Sequence, residues 1–285
     1  MSNQIAVQET LQVGRGLEFA ESSSSSLTPS MARIQQVHTS IMGEVESNGK
    51  KINAEMIPVG YYKTTLNDGT IVYSETVSIK VKDILMQLTR WDSEEKVMHK
   101  TVLSHDLNKN VKDNLGGFNL GREPGYIKWE ELDDETKNRY RQIKRVYVYL
   151  GKLSIPSPLD EEGNPMDRTI EDEFFVMDVK NRDSLASLNN VKKELYTKNK
   201  RILDQAYIFL SGKSNTMDGG NTFGTIDASV GYFYEYDKVK DAEESQAVHD
   251  FISWVNHGIC AKWDEMQGKQ QDALDGEFVA EFVDT

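Results

Sequence analysis

Two alternating runs, 55–66 and 70–81, meet at Asn67-Asp68-Gly69, and this pairing constrains the fold more than any other feature. Asn, Asp and Gly accept the positive φ that a tight hairpin turn needs. In the second run Ile71, Tyr73, Val77, Ile79 and Val81 share one face, while Ser74, Thr76, Ser78 and Lys80 share the other. A second turn, Asp92-Ser93-Glu94-Glu95, separates strand-like runs at 84–91 and 96–103. Residues 34–104 therefore read as sheet.

Beyond this region, 105–128 reads as a long glycine-bearing loop. A short helix is expected over 129–140, with Glu130, Glu131, Asp133 and Asp134 at its positive end. Strands follow at 144–153, 173–179, 206–210 and 222–236, and a helix at 184–198. The strongest helical stripe lies in 241–267, where Val248, Phe251, Ile252, Val255, Ile259 and Trp263 align. The class expected is mainly β with peripheral helices (α+β), with a long C-terminal helix and an acidic tail. The domain plan is a flexible Ser-rich arm over 1–30, a main β-rich domain over 31–240, the helix over 241–267 and the tail over 268–285.

A chain of 285 residues with 38% hydrophobic and 28% charged side chains can bury a sizeable core. It has no apolar run long enough to span a membrane. Its start lacks a basic segment followed by an apolar one, so a cytoplasmic location is expected. Cys260 is the single cysteine, which excludes an internal disulfide and multi-cysteine zinc sites. The net charge of −13 is unevenly placed. Residues 241–285 carry eleven acidic side chains against Lys262 and Lys269, a net −9; residues 1–40 carry −1, leaving −3 for 41–240. The body is close to neutral, and the acid is concentrated at the C-terminal end.

Catalytic signatures are missing: no Walker A loop, no G-x-S-x-G, no H-E-x-x-H, and no strand–G-x-G-x-x-G–helix arrangement. The five histidines do not fall at metal-ligand spacing, and neither a metal nor a cofactor is expected. Asp178-Val179-Lys180 matches the loose carboxylate-x-lysine element of one nuclease class, a common tripeptide that reads as structural. The chain is expected not to be an enzyme.

The binding features are more specific. In 144–153, alternation places Arg145, Tyr147 and Tyr149 opposite Val146, Val148 and Leu150. With Lys144 and Lys152 nearby, one strand face offers rings for unpaired bases and cations for phosphates. Similar interleaving occurs at Tyr61, Tyr62 and Lys63, at Arg90 and Trp91, and at Phe118 with Arg122. Tyr232, Tyr234 and Tyr236 also share a face, but Glu235 and Asp237 beside them favour a structural role. In the tail, Asp275, Glu277, Glu281 and Asp284 interleave with Phe278 and Phe282, a pattern suited to docking on a basic partner or to competing for the chain's own basic groove.

The GGFNLGR loop, the KRVYVYLGKL strand and the tail DALDGEFVAEFVDT together resemble the phage single-stranded DNA-binding proteins. That resemblance implies an OB-like antiparallel β-barrel whose basic and aromatic face, here Lys144, Arg145, Tyr147 and Tyr149, holds the strand. It also implies coating of single-stranded DNA during phage replication and recombination. The tail, through Phe278 and Phe282, would recruit replication or recombination proteins. A homo-oligomer is compatible with this plan. Two features depart from the family: the chain stops in Val283-Asp284-Thr285 rather than an aromatic, and the 241–267 helix exceeds what a minimal OB domain needs. The leading alternative is a phage structural or assembly protein making subunit contacts through its arm and tail. A nuclease using Asp178 and Lys180 comes third.

Overall fold

The computed structural model describes residues 30–47, 50–217, 220 and 222–283, with side chains given for all of these except 47 and 270–283. The arm expected over 1–30 lies outside the described residues but for Ser30. Strands β1 (Ala32–Gln36), β2 (Ile41–Ser47), β3 (Lys50–Ile57), β4 (Tyr62–Thr65), β5 (Ile71–Ser74), β6 (Thr76–Asp92) and β7 (Val97–Lys100) come first. Helix α1 (Asp134–Gln142), β8 (Lys144–Ile155), β9 (Ile170–Val179), α2 (Arg182–Glu194), β10 (Ala206–Thr216), β11 (Thr222–Phe233) and α3 (Lys238–Val283) follow. The protein is mainly β with a long C-terminal helix. No helix among the described residues is long and apolar enough to cross a membrane.

The Asn67-Asp68-Gly69 turn forms as its chemistry requires. Gly69 takes φ +83°, Asp68 accepts from the Thr70 amide at 2.8 Å, and β4 pairs with β5 from Thr65↔Ile71. The two flanking runs are each interrupted. The first breaks at Pro58-Val59-Gly60, where Pro58 has no amide for a ladder and Gly60 takes φ +98°. The second breaks for one residue at Glu75.

The chain divides into two compact units, residues 1–84 with 148–249 and residues 85–147 with 250–285. β6, β8 and α3 each run from one unit into the other.

In the first unit the strands follow the order β11-β10-β6-β8-β9-β1-β4-β5, with β2 and β3 paired separately. β1 with β4, β4 with β5, β10 with β11 and β10 with β6 pair antiparallel, whereas β1 pairs parallel with β9, where Ala32 faces Phe175 and Ile34 faces Met177. The order has two ends and no closed barrel, which corrects the barrel expected from the family resemblance. The sheet is nonetheless strongly curled. Tyr62 donates its hydroxyl to the Ser211 carbonyl at 3.1 Å, and a β-carbon on Gly212 would overlap the carbonyl oxygen of Gly60. Helix α2 caps the edge strand β11: Ser184 Oγ accepts from the Ile226 amide at 3.0 Å and Ser187 Oγ from the Ala228 amide at 2.8 Å. Edge amides that invite foreign strands are thus satisfied from within. The core is formed by Ile34, Ile79, Leu150, Leu153, Ile155, Phe175, Ile208 and Leu210, all under 2% exposed. Each such side chain contributes about 1.5–3 kcal/mol by leaving water.

The second unit is built on a hairpin and a loop. β6 and β7 pair from Thr89↔Lys100 to Asp92↔Val97 around the expected acidic turn. The expected loop at 105–128 is ordered by two buried polar side chains. Asp113, 1% exposed, accepts from the amides of Leu115, Gly117 and Leu120 at 2.8–3.0 Å, and Asn119 accepts from the Val111 amide at 3.1 Å. Within the same unit α3 docks on this loop. Trp263 donates to the Gly117 carbonyl at 2.9 Å, while Asn256 both accepts from the Leu103 amide at 2.7 Å and donates to its carbonyl at 3.0 Å. The core of this unit is Leu88, Leu107, Val111, Leu120, Tyr140 and Ile143.

Candidate nucleic-acid interface

Twelve side chains were expected to contact nucleic acid, and they divide between the two units. In the first unit, Tyr62 is 1% exposed and Tyr149 is 3% exposed. Neither can stack on a base, which corrects both assignments. The physical cause for Tyr149 is coverage of both strand faces. Along β8 the residues Val146, Val148 and Leu150 are buried as the alternation requires, but from Val148 to Gly151 every residue is buried. Gly151 lies so close beneath Lys80 that a β-carbon there would overlap the Lys80 carbonyl. Burial also drives the Tyr62 hydroxyl far above the usual phenol range, with Asp227 adding to the effect. Tyr61 packs against the cluster of Val37, Ile57 and Tyr73. Lys63 is half-buried on β4. Lys152 is engaged internally: its ammonium lies 3.6 Å over the Phe174 ring and donates to the Asp172 carbonyl.

The second unit gathers the remaining cations. Helix α1 starts on Asp133, which accepts from the Thr136 amide at 2.7 Å, and carries Asp134 and Glu135 in its first turn. Its basic residues Arg139 and Arg141 fall in the last turn, so the helix segregates charge along its dipole. One residue beyond the helix, β8 opens with the exposed Lys144 and Arg145. Arg122 and Arg139 lie 5.6 and 5.5 Å from the Tyr140 ring, and Arg141 lies 5.6 Å from the Trp129 ring. Lys144 donates to the Arg141 carbonyl at 2.7 Å, and Arg141 donates to Asn138 at 3.0 Å. Among the described residues, none of Arg122, Arg139, Arg141, Lys144 and Arg145 forms an ion pair with a carboxylate. Desolvation, then the neighbouring positive charge of Arg145, pulls the Arg122 guanidinium below its ordinary pKa. Five cations without counter-charges make a field that attracts a polyanion.

Rings border this cluster or lie elsewhere in the same unit. Tyr147 is half-buried, Trp129 is 36% exposed and Tyr126 is 89% exposed. Phe118 is 44% exposed and tilts against Trp263 at 5.8 Å; Trp91 is 49% exposed on the hairpin, with Arg90 beside it in sequence and half-buried. The tail residues Asp275, Glu277, Phe278, Glu281 and Phe282 lie on α3, but their side chains, and all of Asp284, lie outside the described residues. The helix expected over 241–267 therefore continues through most of the segment expected as tail.

Three features escaped sequence reasoning. One is the row of rings on β10 and β11: Tyr207 stacks on Tyr232 at 4.4 Å, and Phe209, 44% exposed, lies 6.0 Å from Tyr232. Tyr207 and Phe209 are two apart in a strand, which was the available signal. The second is the joining of Arg122 to Arg139 at the Tyr140 ring, although Arg139 and Arg141 were themselves legible as an acid-free basic run with Lys144, Arg145 and Lys152. The third is a buried four-charge network. Lys80 and Lys82 on β6 meet Asp241 and Glu244 on α3, with all four side chains 3–4% exposed. Tyr234 is part of it, donating to Asp241 at 3.1 Å with the Lys80 ammonium 4.0 Å over its ring, while Tyr232 and Tyr236 are 50% and 62% exposed.

Asp178 is ion-paired to Arg33 at 3.1 Å, beside a cavity of about 440 Å³ that Lys180 and His38 also line. No family model, curated protein or solved structure matches this chain.

Proposed function

We propose that the protein binds single-stranded DNA through the cationic surface of its second unit, coating the strand as a stoichiometric binder. The observation that carries this reading is the group of five basic side chains, Arg122, Arg139, Arg141, Lys144 and Arg145, none of which is ion-paired to a carboxylate among the described residues, in a chain of net charge −13. Uncompensated clustering of this kind costs self-repulsion, and an anion relieves it. Phosphates would neutralise the cations with release of counterions, while Tyr147 and Trp129 would offer stacking at about 1–3 kcal/mol per base. On this reading the likeness to phage single-stranded DNA-binding proteins extends to function, with the curled sheet of the first unit in place of an OB-like barrel. The partner-docking role of the C-terminal segment becomes that of a helix.

The test is fluorescence anisotropy with labelled oligo(dT) at low salt. Wild type should bind at micromolar concentration or tighter. Combined Arg139→Ala, Arg141→Ala and Arg145→Ala, all at exposed positions, should weaken binding at least tenfold. Absence of binding at tens of micromolar protein, or a triple variant that binds as wild type does, refutes the proposal.

A further inference from the structure

The hairpin of β6 and β7 brings together three side chains whose chemistry is distinct from the arginine cluster. Their register sets the arrangement: Arg90 pairs with His99 and Asp92 with Val97, so Asp92 and His99 lie diagonally on one face of the hairpin. Asp92 is held in place by its turn. Its Oδ1 accepts from the amides of Glu94 and Glu95 at 2.9 and 3.0 Å, which leaves Oδ2 to face His99 Nε2 at 3.6 Å. Glu95 turns back from the tip and brings Oε2 to 3.9 Å from the same nitrogen. The three ligand atoms all lie within 4.8 Å of one another.

The imidazole is the second, independent observation. His99 is 5% exposed, yet its Nδ1 is buried with no hydrogen-bond partner among the described residues. Its Nε2 points between two carboxylates in long ion pairs, while Nδ1 lacks, among the described residues, the partner that burial demands. We propose that Asp92, Glu95 and His99 form a binding site for a first-row divalent cation of the Zn²⁺ type.

Metal–ligand bonds of about 2.0–2.2 Å put the donor atoms of a shared ion roughly 3–3.5 Å apart, so the 3.6 and 3.9 Å distances from the imidazole to the two carboxylates need to shorten by less than about 1 Å. Glu95 is free to supply that movement, since its side chain is 69% exposed. An imidazole donor favours Zn²⁺ and its neighbours over Mg²⁺ or Ca²⁺, which prefer oxygen alone. Arg90, opposite His99 in the register, shares this face, and its positive charge there points to moderate affinity. Three protein ligands leave coordination positions for water. The ion would tie the turn to strand β7, and this inference stands whether or not the protein binds DNA.

The test uses the full chain, stripped with chelator and labelled with ¹⁵N-histidine, titrated with Zn²⁺ at neutral pH by calorimetry and NMR. The ring nitrogens of His99 should shift with added metal. Glu95→Gln, at an exposed position, and His99→Gln should each lose this binding event or weaken it at least tenfold, with far-ultraviolet circular dichroism confirming that each remains folded. If Zn²⁺ leaves the His99 signals in place, or Glu95→Gln binds with wild-type affinity and stoichiometry, the group is a plain ion pair and the proposal fails.

Discussion

Replacing Asp241 by Asn removes one negative charge from a site that is nearly sealed from solvent while keeping the side chain's size. Asp241 accepts from Lys80, Lys82, the Tyr234 hydroxyl and the Asp237 amide. Burial alone would raise its pKa, but the Lys82 hydrogen bond, the Asp237 amide and Lys80 outweigh that and hold the carboxyl at about 2. Against an ordinary value of 3.8, that is about 2.5 kcal/mol of stability at neutral pH. Removing one partner of a buried pair commonly costs about 3–5 kcal/mol, because the survivors are left unbalanced. Here two ammonium groups would share Glu244 alone. We expect Asp241→Asn to lose about 2.5–5 kcal/mol, which is a fall of roughly 5–20 °C in the melting transition that reports the first unit. The pH dependence follows from the direction of the shift. A depressed folded-state pKa gives stability that is complete above about pH 4 and is lost as pH falls through 3.8 towards 2. Urea unfolding of both proteins between pH 7 and pH 2 should therefore show a gap that narrows in acid. A loss below about 1 kcal/mol, or a gap independent of pH, would show that these lysines do not depend on Asp241.

Two further outcomes follow from burial. Tyr149→Ala should destabilise the fold by about 3–5 kcal/mol, whereas Tyr147→Ala should leave stability nearly unchanged and weaken oligo(dT) binding several-fold or more; equal effects of the two on melting would contradict the assigned faces of β8. Gly212→Ala should cost about 1–3 kcal/mol or more, since its β-carbon meets the backbone of Gly60, and a neutral result in thermal unfolding would mean that the sheet is not curled as described.

Local chemistry in the sequence told where turns and strands fall, and much less about which faces are covered. The Asn67-Asp68-Gly69 and Asp92–Glu95 turns were legible because Gly, Asn and Asp act through their own backbone. β8 was legible as a strand from its alternation, but the burial of Tyr149 depends on neighbours distant in the chain. The pairing of Lys80 with Asp241 spans 161 residues, so no local pattern carries it. Lys80 read only as a member of the polar face of its strand, although Lys80 and Lys82 two apart and Asp241 and Glu244 three apart were each visible as same-face pairs. The interleaved acids and phenylalanines of 272–283 read as tail, yet Phe278 and Phe282 also have helical spacing, and the helix passes through Gly268 without stopping. Arg122, Lys144 and Arg145 were legible as basic–aromatic interleaving. Arg139 and Arg141 were legible as the start of an acid-free basic run that ends at Lys152, and a helix of nine residues delivers them beside the start of β8.

The most direct test of the central claim is the salt dependence of oligo(dT) affinity, measured for wild type and for the combined Arg139→Ala, Arg141→Ala and Arg145→Ala variant. Each phosphate neutralised on a single strand contributes about −0.7 to the slope of log K against log salt concentration. Five cations in contact predict a slope of about −3.5, and removing three predicts a slope near −1.4. An affinity that does not change with salt, or a variant whose slope equals that of wild type, would contradict the assignment of this surface to DNA.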